Sequence, residues 1–265
     1  MSAPAAESPG LDFHLRWTTL QPPLRPHHSV ARAIADLLPH PAEPLLLLGV
    51  TPELAALPLR MTAVDWNQAM LDRAWPGDSP SKRALLGDWR AMPLADGSMA
   101  AAISDGCFTM LDHPGDDLRL LDELARVLVP GGRLIARCFA MPESGETFAE
   151  VRRAAEGGTG FHAFKLRLNM AVAWESGKVT IRCGRIFETF TRLFPDRAEL
   201  SRASGWSLDQ IAEIDAYRGR PSILSYPTRS QLLALAAERG LRASFVESSG
   251  YALAERCPLL VLDFG

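Results

Sequence analysis

The sequence is poor in lysine. Of its 28 basic residues only Lys82, Lys165 and Lys178 are lysines, and the remainder are arginines. That skew reads as a coding preference and carries no function. There is no basic excess either. The 28 Lys+Arg stand against 31 Asp+Glu, a formal charge of -3, so the basic field of a nucleic-acid binder is missing. Cysteine is scarce: Cys107, Cys138, Cys183 and Cys257 form no C-x-x-C pair, and no histidine follows one at zinc spacing. A metal site or disulfide framework is therefore not expected, and buried free thiols are. No run of 18 apolar residues occurs, so no membrane span is expected. Residues 1–10 are small, acidic and Pro-containing, without the basic start and apolar stretch of a secretory leader. They read as a loose tail, and the simplest location is the cytoplasm. Internal repeats and long low-complexity tracts are also absent.

What remains is an average globular composition. Of the 265 residues, 47% are apolar and 22% charged, which excludes a disordered or fibrous chain. The length suits one large domain, or a core with one sizeable insertion, and buries its apolar surface without covalent staples.

A Pro-broken turn over 21–28 precedes a helix over 29–38, with Ser29 as N-cap and Val30, Ile34 and Leu37 on one face. The four leucines 45–48 end at Gly49, and a run apolar on both faces fits a central parallel strand. Pro52 opens a short helical stretch. Strands are then expected at 60–65, 84–88, 100–105 and 133–139, with helices at 67–74 and 116–129 between them. This alternation predicts parallel βαβ units joined by right-handed crossovers. After residue 140 the rhythm breaks. Helices are expected at 161–173, 179–193 and 208–218, the last with Ser207 and Gln210 as the ends of a capping box. These form a helical lid inserted over the sheet. Thr228 and Gln231 make a second box, opening a helix that Gly240 closes. The final strand-like runs, 243–247 and 258–264, have no helix between them and read as antiparallel neighbours. The expected organisation is an N-terminal tail and helix (1–43), an α/β core (44–140), a lid (141–225), and a helix and strand pair completing the core (226–265).

Loops at the carboxyl ends of parallel strands line the ligand crevice of such a sheet. Those positions here hold Gly49, Asp65, Asp88 and Asp105. Acids suit a ligand that offers hydroxyls, amines or an ammonium group, rather than a phosphate. Asp65 follows Gly49 by the spacing at which a carboxylate accepts hydrogen bonds from a ribose diol. Each such charge-assisted bond contributes ~1.5–3 kcal/mol. A single strand-end Asp is also a common turn former; the ordered set of three is the stronger signal.

Four segments in order, 45–49, 63–71, 87–94 and 126–134, resemble the successive motifs of the class I S-adenosylmethionine-dependent methyltransferases. The resemblance covers roughly residues 44–140, and the C-terminal strand pair matches the family's antiparallel insertion. It implies a Rossmann-like, doubly wound α/β sheet, mostly parallel with an antiparallel C-terminal strand, and S-adenosylmethionine as cofactor. Gly49, Thr51 and Glu53 would approach the methionine part. Asp65 would hold the ribose hydroxyls, with Trp66 flanking the adenine. Asp88 would accept from the adenine amino group beside Trp89, and Asp105 and Gly106 would border the sulfonium and the acceptor. The first motif departs from the pattern: Leu47 stands where the family shows an acid, and Thr51 and Glu53 stand where it shows glycines. Glu53 either replaces the missing acid against the cofactor's ammonium group or is simply the second position of a helix begun by Pro52.

A sulfonium methyl is already electrophilic, so alignment does most of the work, and a base is needed only for a protonated acceptor. His113, in the loop after Asp105, is the candidate base. His27, His28 and His162 are weaker candidates. Arg137 would meet an acidic substrate or pair with a structural carboxylate. Phe161, Phe164, Phe187, Phe190, Phe194, Trp174 and Trp206 in the lid are read as core, with a share left for an acceptor pocket. A lid of this size points to a small-molecule acceptor enclosed away from water. Three other functions stay open. The first is the same fold using the cofactor for intramolecular displacement, and the second is a non-catalytic cofactor-binding or partner-binding protein. The third, a nicotinamide oxidoreductase, is disfavoured because no G-x-G-x-x-G follows the first strand.

Overall fold

Four consecutive leucines can all be buried only where a strand is covered on both faces, and β1 (Leu45–Leu48) lies in the middle of a seven-stranded sheet. The structure, a computed structural model, describes residues 17–39 and 42–265; the tail expected over 1–10 lies outside them. β1 pairs in parallel with β2 (Met61–Asp65) on one side and β4 (Met99–Asp105) on the other. β3 (Lys82–Leu86) extends the sheet beyond β2, and β5 (Leu128–Arg137) beyond β4, both in parallel. β9 (Leu259–Asp263) then runs antiparallel to β5, and β8 (Arg242–Val246) antiparallel to β9 at the edge. The order is β3-β2-β1-β4-β5-β9-β8, a Rossmann-like, mostly parallel sheet with one antiparallel strand.

The leucines of β1 divide by period two between the faces. Leu46 and Leu48 pack under the helices Gly115–Val127 and Arg229–Glu238, with Leu120, Leu124 and Leu232. Leu45 and Leu47 pack against the helices His28–Leu37 and Gln68–Arg73, with Val30, Ile34 and Met70. A third apolar cluster belongs to the segment after β5. Phe161, Phe164, Phe190, Phe194 and Trp206 meet there ring to ring, with centroids 4.6–6.3 Å apart. The helix Phe161–Glu175 is buried nearly all round, as an apolar helix must be.

Several boundaries differ from the sequence expectations. The stretch 179–193 is not one helix. Thr180–Arg182 forms β6, pairs antiparallel with β7 (Ile223–Ser225), and a helix begins only at Cys183. The β-branched Val179-Thr180-Ile181 favours that outcome once a partner strand is supplied. The helix expected over 208–218 is α-helical over Leu208–Ala212 and tightens to a 3-10 turn over Glu213–Tyr217. Two helices in the segment after β5 were not anticipated. Phe148–Glu156 opens with the reciprocal Thr147/Glu150 capping box, and Arg197–Ser204 is capped by Asp196. Both carried legible start signals. The first helix begins at His28, and its N-cap is His27 rather than Ser29, with the imidazole accepting from Ser29 N. β3 lies two residues earlier than expected, which leaves Asp88 beyond the strand in a turn paired to Ala91.

The β6–β7 ribbon fastens the inserted segment to the sheet. Thr180 Oγ1 accepts from His113 N at 3.2 Å and lies 2.8 Å from Ser225 Oγ, which donates to Leu111 O. No helix among the described residues is long and apolar enough to cross a membrane.

Candidate functional site

The strand order reverses at β1. Its successor in chain order, β2, lies on one side and β4 on the other, so the loops leaving β1 and β4 diverge at the carboxyl edge. A cleft opens there, floored by Gly49, Thr51, Asp65, Asp105 and Gly106. A second hollow lies at the opposite edge, among Pro44, Arg60, Lys82 and Met99. It sits at the amino ends of the strands, away from the carboxyl edge where sheets of this kind hold the ligand of the switch point.

Two glycines shape the floor. Gly49 ends β1 with φ +82°, and a Cβ there would stand 3.2 Å from the Trp89 ring. Gly106 follows β4 with φ +76°, and a Cβ there would stand 3.1 Å from the Phe139 ring. Both positions need the left-handed region and close approach, which other residues take only with strain.

Asp65 ends β2 with its side chain turned back over β1. One oxygen accepts from Val50 N at 3.0 Å and the other from Asn67 N at 2.8 Å. Burial raises its pKa to about 6, and the two backbone donors offset part of that rise. No basic side chain among the described residues pairs with it, so a buried carboxylate faces the cleft with lone pairs to spare. Beside it, the Trp66 and Trp89 rings meet at 4.1 Å between centroids with their planes tilted by 43°, and the Trp89 indole N–H donates to Val64 O. Both rings line the cleft.

Asp105, at the end of β4, is answered internally. Arg137, fully buried on the neighbouring β5, donates to both its oxygens. The guanidinium also donates to Pro23 O at 2.8 Å and stands over the Phe139 ring. Burial raises the Asp105 pKa, and the guanidinium draws it back. Asp105 still lines the cleft, whereas Arg137 does not. Of the two roles open to Arg137, the structure shows the pairing with a structural carboxylate.

Three other expected site residues also stand outside the lining. Glu53 lies on the short helix Pro52–Ala55; its Oε1 accepts from Arg25 Nε at 2.5 Å and from Trp17 Nε1 at 3.3 Å, while its buried Oε2 has no partner. Asp88 is held by Arg90, which also grips Asp116 at 2.7 Å, and this pairing lowers the Asp88 pKa. His113 Nδ1 lies 2.7 Å from Asp117 Oδ2, with both side chains buried. The other histidines are likewise engaged elsewhere: His162 with Glu213 at 3.0 Å, and His27 with Ser29 and the rings of His28 and Tyr251.

The opposite wall was not foreseen. Lys165 and Asn169 reach the cleft from the helix Phe161–Glu175, and Tyr217 and Tyr226 from the turn and strand that follow. The Lys165 ammonium stands 4.8 Å over the Tyr217 ring. Asn169 Nδ2 donates to Tyr226 Oη at 2.8 Å, while its Oδ1 is buried without a partner, as is Thr109 Oγ1. A sequence signal existed: two polar residues one turn apart, Lys165 and Asn169, in a helix whose remaining residues are mostly apolar. Trp17 and Leu24, from the segment before the first helix, close the cleft's mouth. None of the seven aromatics singled out between residues 161 and 206 lines the cleft; Trp174 is 40% exposed.

The sheet order and the cleft at its switch point define a Rossmann-like α/β protein with a cleft at the carboxyl edge of its sheet. Within that class, residues 49–136 match the family model described as a methyltransferase domain. Demethylmenaquinone methyltransferase of Mycobacterium sp. (strain KMS) is 32% identical over 163 residues, 59% of this chain and 62% of the relative. The same enzyme of Mycolicibacterium vanbaalenii is 32% identical over 161 residues, covering 59% and 63%. The chain thus spans less than two thirds of these relatives. Among solved structures, S-adenosylmethionine-bound CalS10, an amino pentose methyltransferase from Micromonospora echinaspora, shares the fold with a TM-score of 0.51 at 16% identity, over 90% and 91% of the two chains. Over residues 49–136 the chain is thus similar to the methyltransferase domain family.

Proposed function

We propose that the protein transfers a methyl group from S-adenosylmethionine to a small-molecule acceptor held between the sheet edge and residues 141–225. One observation carries this reading: a buried Asp65 carboxylate at the end of β2 that pairs with no basic side chain among the described residues, beside a glycine that no side chain could replace without strain. Such a carboxylate suits a vicinal diol, which offers two hydroxyl donors and no charge. Trp66 and Trp89 supply an aromatic wall for a purine. Gly49, Val50 and Thr51 run beside the space for the amino-acid arm, and the unpartnered Glu53 Oε2 lies behind it. Asp88, spent on Arg90, has no part in this reading. Asp105 and Gly106 border the reacting end, where Asp105 serves as a fixed, Arg137-held wall of the site.

When bound, the cofactor would supply an electrophilic methyl on a sulfonium for an acceptor lone pair. The protein's contribution is to orient and to exclude water, which together supply ~7–11 kcal/mol. Trp17 and Leu24 from one side, and Tyr217 and Tyr226 from the other, close over the floor. The names of the mycobacterial relatives support a small molecule as acceptor. Titration calorimetry with S-adenosylmethionine and S-adenosylhomocysteine tests the reading, and it fails if neither binds. Incubation with S-adenosylmethionine alone, followed by assay for methylthioadenosine, separates methyl transfer from cyclisation of the amino-acid arm.

A further inference from the structure

The hollow at the amino edge of the sheet gathers positive charge that the described residues do not answer. Its volume is about 480 Å³, the size of a small-molecule site. Side chains two apart on a strand share a face, and so do residues paired across neighbouring strands. Thr62 of β2 pairs with Arg83 of β3, and Arg60 and Ser81 stand two residues before them. All four line the hollow, together with Pro93 and Leu94 of the loop before β4. Arg83 Nε donates to Thr62 Oγ1 at 3.3 Å, and Thr62 is buried. That bond fixes the guanidinium and leaves both Nη groups for another acceptor. Neither Arg60 nor Arg83 forms an ion pair with a carboxylate among the described residues. The acids nearest in sequence are turned elsewhere. Glu43 accepts from Arg60 N, Asp78 from Ala84 N and the Trp75 indole, and Asp96 from Arg126. None of these three lines the hollow. Lys82 adds a third positive charge, its ammonium held at 2.6 Å by Ala55 O. Like charges gathered on neighbouring strands repel, and an anion between them removes the repulsion.

We propose that Arg60 and Arg83 bind the phosphate group of a small phosphorylated molecule in this hollow. A phosphate on an organic body carries about two negative charges and three acceptor oxygens. That matches two guanidiniums with the Ser81 hydroxyl beside them. Guanidinium forks hold phosphate through paired hydrogen bonds, whereas a single carboxylate leaves one of the two cations unmatched. The hollow is larger than a phosphate alone, and Pro93 and Leu94 give its wall an apolar stretch, so the phosphate is carried on an organic body. The site is separate from the cleft, because β2 runs between them, from Met61 at the hollow to Asp65 at the cleft. It therefore does not depend on the methyltransferase reading, and its ligand is additional to whatever the cleft holds.

Phenyl phosphate, inorganic phosphate and benzoate are titrated by calorimetry, at constant ionic strength, into wild type, Arg60→Gln, Arg83→Gln, the double variant and Arg242→Gln. Arg242 is an exposed arginine on β8, at the far end of the sheet from β3, and controls for the loss of one charge. Wild type is expected to bind a single phenyl phosphate, more tightly than inorganic phosphate, with benzoate weaker than both. Arg60→Gln and Arg83→Gln should each weaken phenyl phosphate binding about tenfold. The double variant should lose saturable binding, and Arg242→Gln should bind as wild type does. A cooperative thermal unfolding transition in each variant shows that it is folded. Saturating S-adenosylhomocysteine should not displace phenyl phosphate, because the hollow and the cleft lie at opposite edges of the sheet. The proposal is overturned if wild type shows no saturable binding, or if both single variants bind phenyl phosphate as tightly as wild type. It is equally overturned if Arg242→Gln loses as much affinity as they do, if benzoate or inorganic phosphate binds as tightly as phenyl phosphate, or if S-adenosylhomocysteine displaces it. Failure of S-adenosylhomocysteine to bind at all instead strikes the methyltransferase reading, while the phosphate titrations still decide the role of Arg60 and Arg83.

Discussion

The Nε of Arg25 lies 2.5 Å from Oε1 of Glu53. The acid that the sequence offered to a ligand's ammonium group is thus already met by the protein's own N-terminal segment. The same segment places Trp17 and Leu24 at the mouth of the cleft. Arg25→Met should loosen this closure and weaken S-adenosylhomocysteine binding by about three- to tenfold, consistent with a partly exposed ion pair. Calorimetry checks it, and affinity equal to wild type would show that the segment contributes nothing to retention.

Asp65 gives a pH dependence with a defined sign. Its carboxyl is raised to about 6 by burial. Below that pH it is protonated and loses acceptor capacity toward a diol. Cofactor affinity should therefore rise as pH goes from about 5 to 7. Apoprotein stability should move the other way. A carboxyl whose folded pKa lies above its unfolded value contributes stability that is present at low pH and lost as pH rises through the folded pKa, about 3 kcal/mol at most here. The ligand-induced shift in melting temperature should accordingly grow across this window. A shift that is flat with pH would remove Asp65 from the binding site. Asp65→Asn should weaken binding by ~1.5–3 kcal/mol at neutral pH.

Asp105 and Arg137 are a buried pair, and each is needed by the other. Arg137→Met leaves a carboxylate in the interior facing no cation and also orphans Pro23 O. The expected loss is about 3–5 kcal/mol, a fall in melting temperature of about 6–20 °C for a domain of this size. The double variant Asp105→Asn with Arg137→Met should recover part of it. A single variant as stable as wild type would show that the pair carries no structural weight.

His113 is expected to be structural. It sits in a buried pair with Asp117, and its backbone N–H donates to Thr180 at the attachment of the β6–β7 ribbon. His113→Asn should lower stability by about 1–3 kcal/mol, because Asp117 loses its partner. It should leave methyl transfer nearly unchanged, whereas removing a general base costs about 10²–10⁴-fold. Turnover measured over pH distinguishes the two, since only a base would shift the profile.

What the sequence determined by itself is what local pattern can carry. The leucines 45–48 announce a central strand because a strand apolar on both faces has few other places to go. Gly49 and Asp65 were legible because strand ends and their spacing are local, and both line the cleft. Tertiary structure decided which of the chemically interesting residues were still available. Asp88 and Arg90 are two residues apart, yet a β3 placed two residues late in the sequence reading put Asp88 on the sheet edge instead of in the turn where Arg90 takes it. Glu53 and Arg137 were claimed by partners 28 to 114 residues away, and no periodicity reports such pairings. Lys165, Asn169, Tyr217 and Tyr226 converge on Asp65's cleft from an inserted segment whose docking depends on the β6–β7 ribbon. Charges and hydrogen bonds act through space, so their partners are set by packing, and packing is decided only when the whole chain has closed.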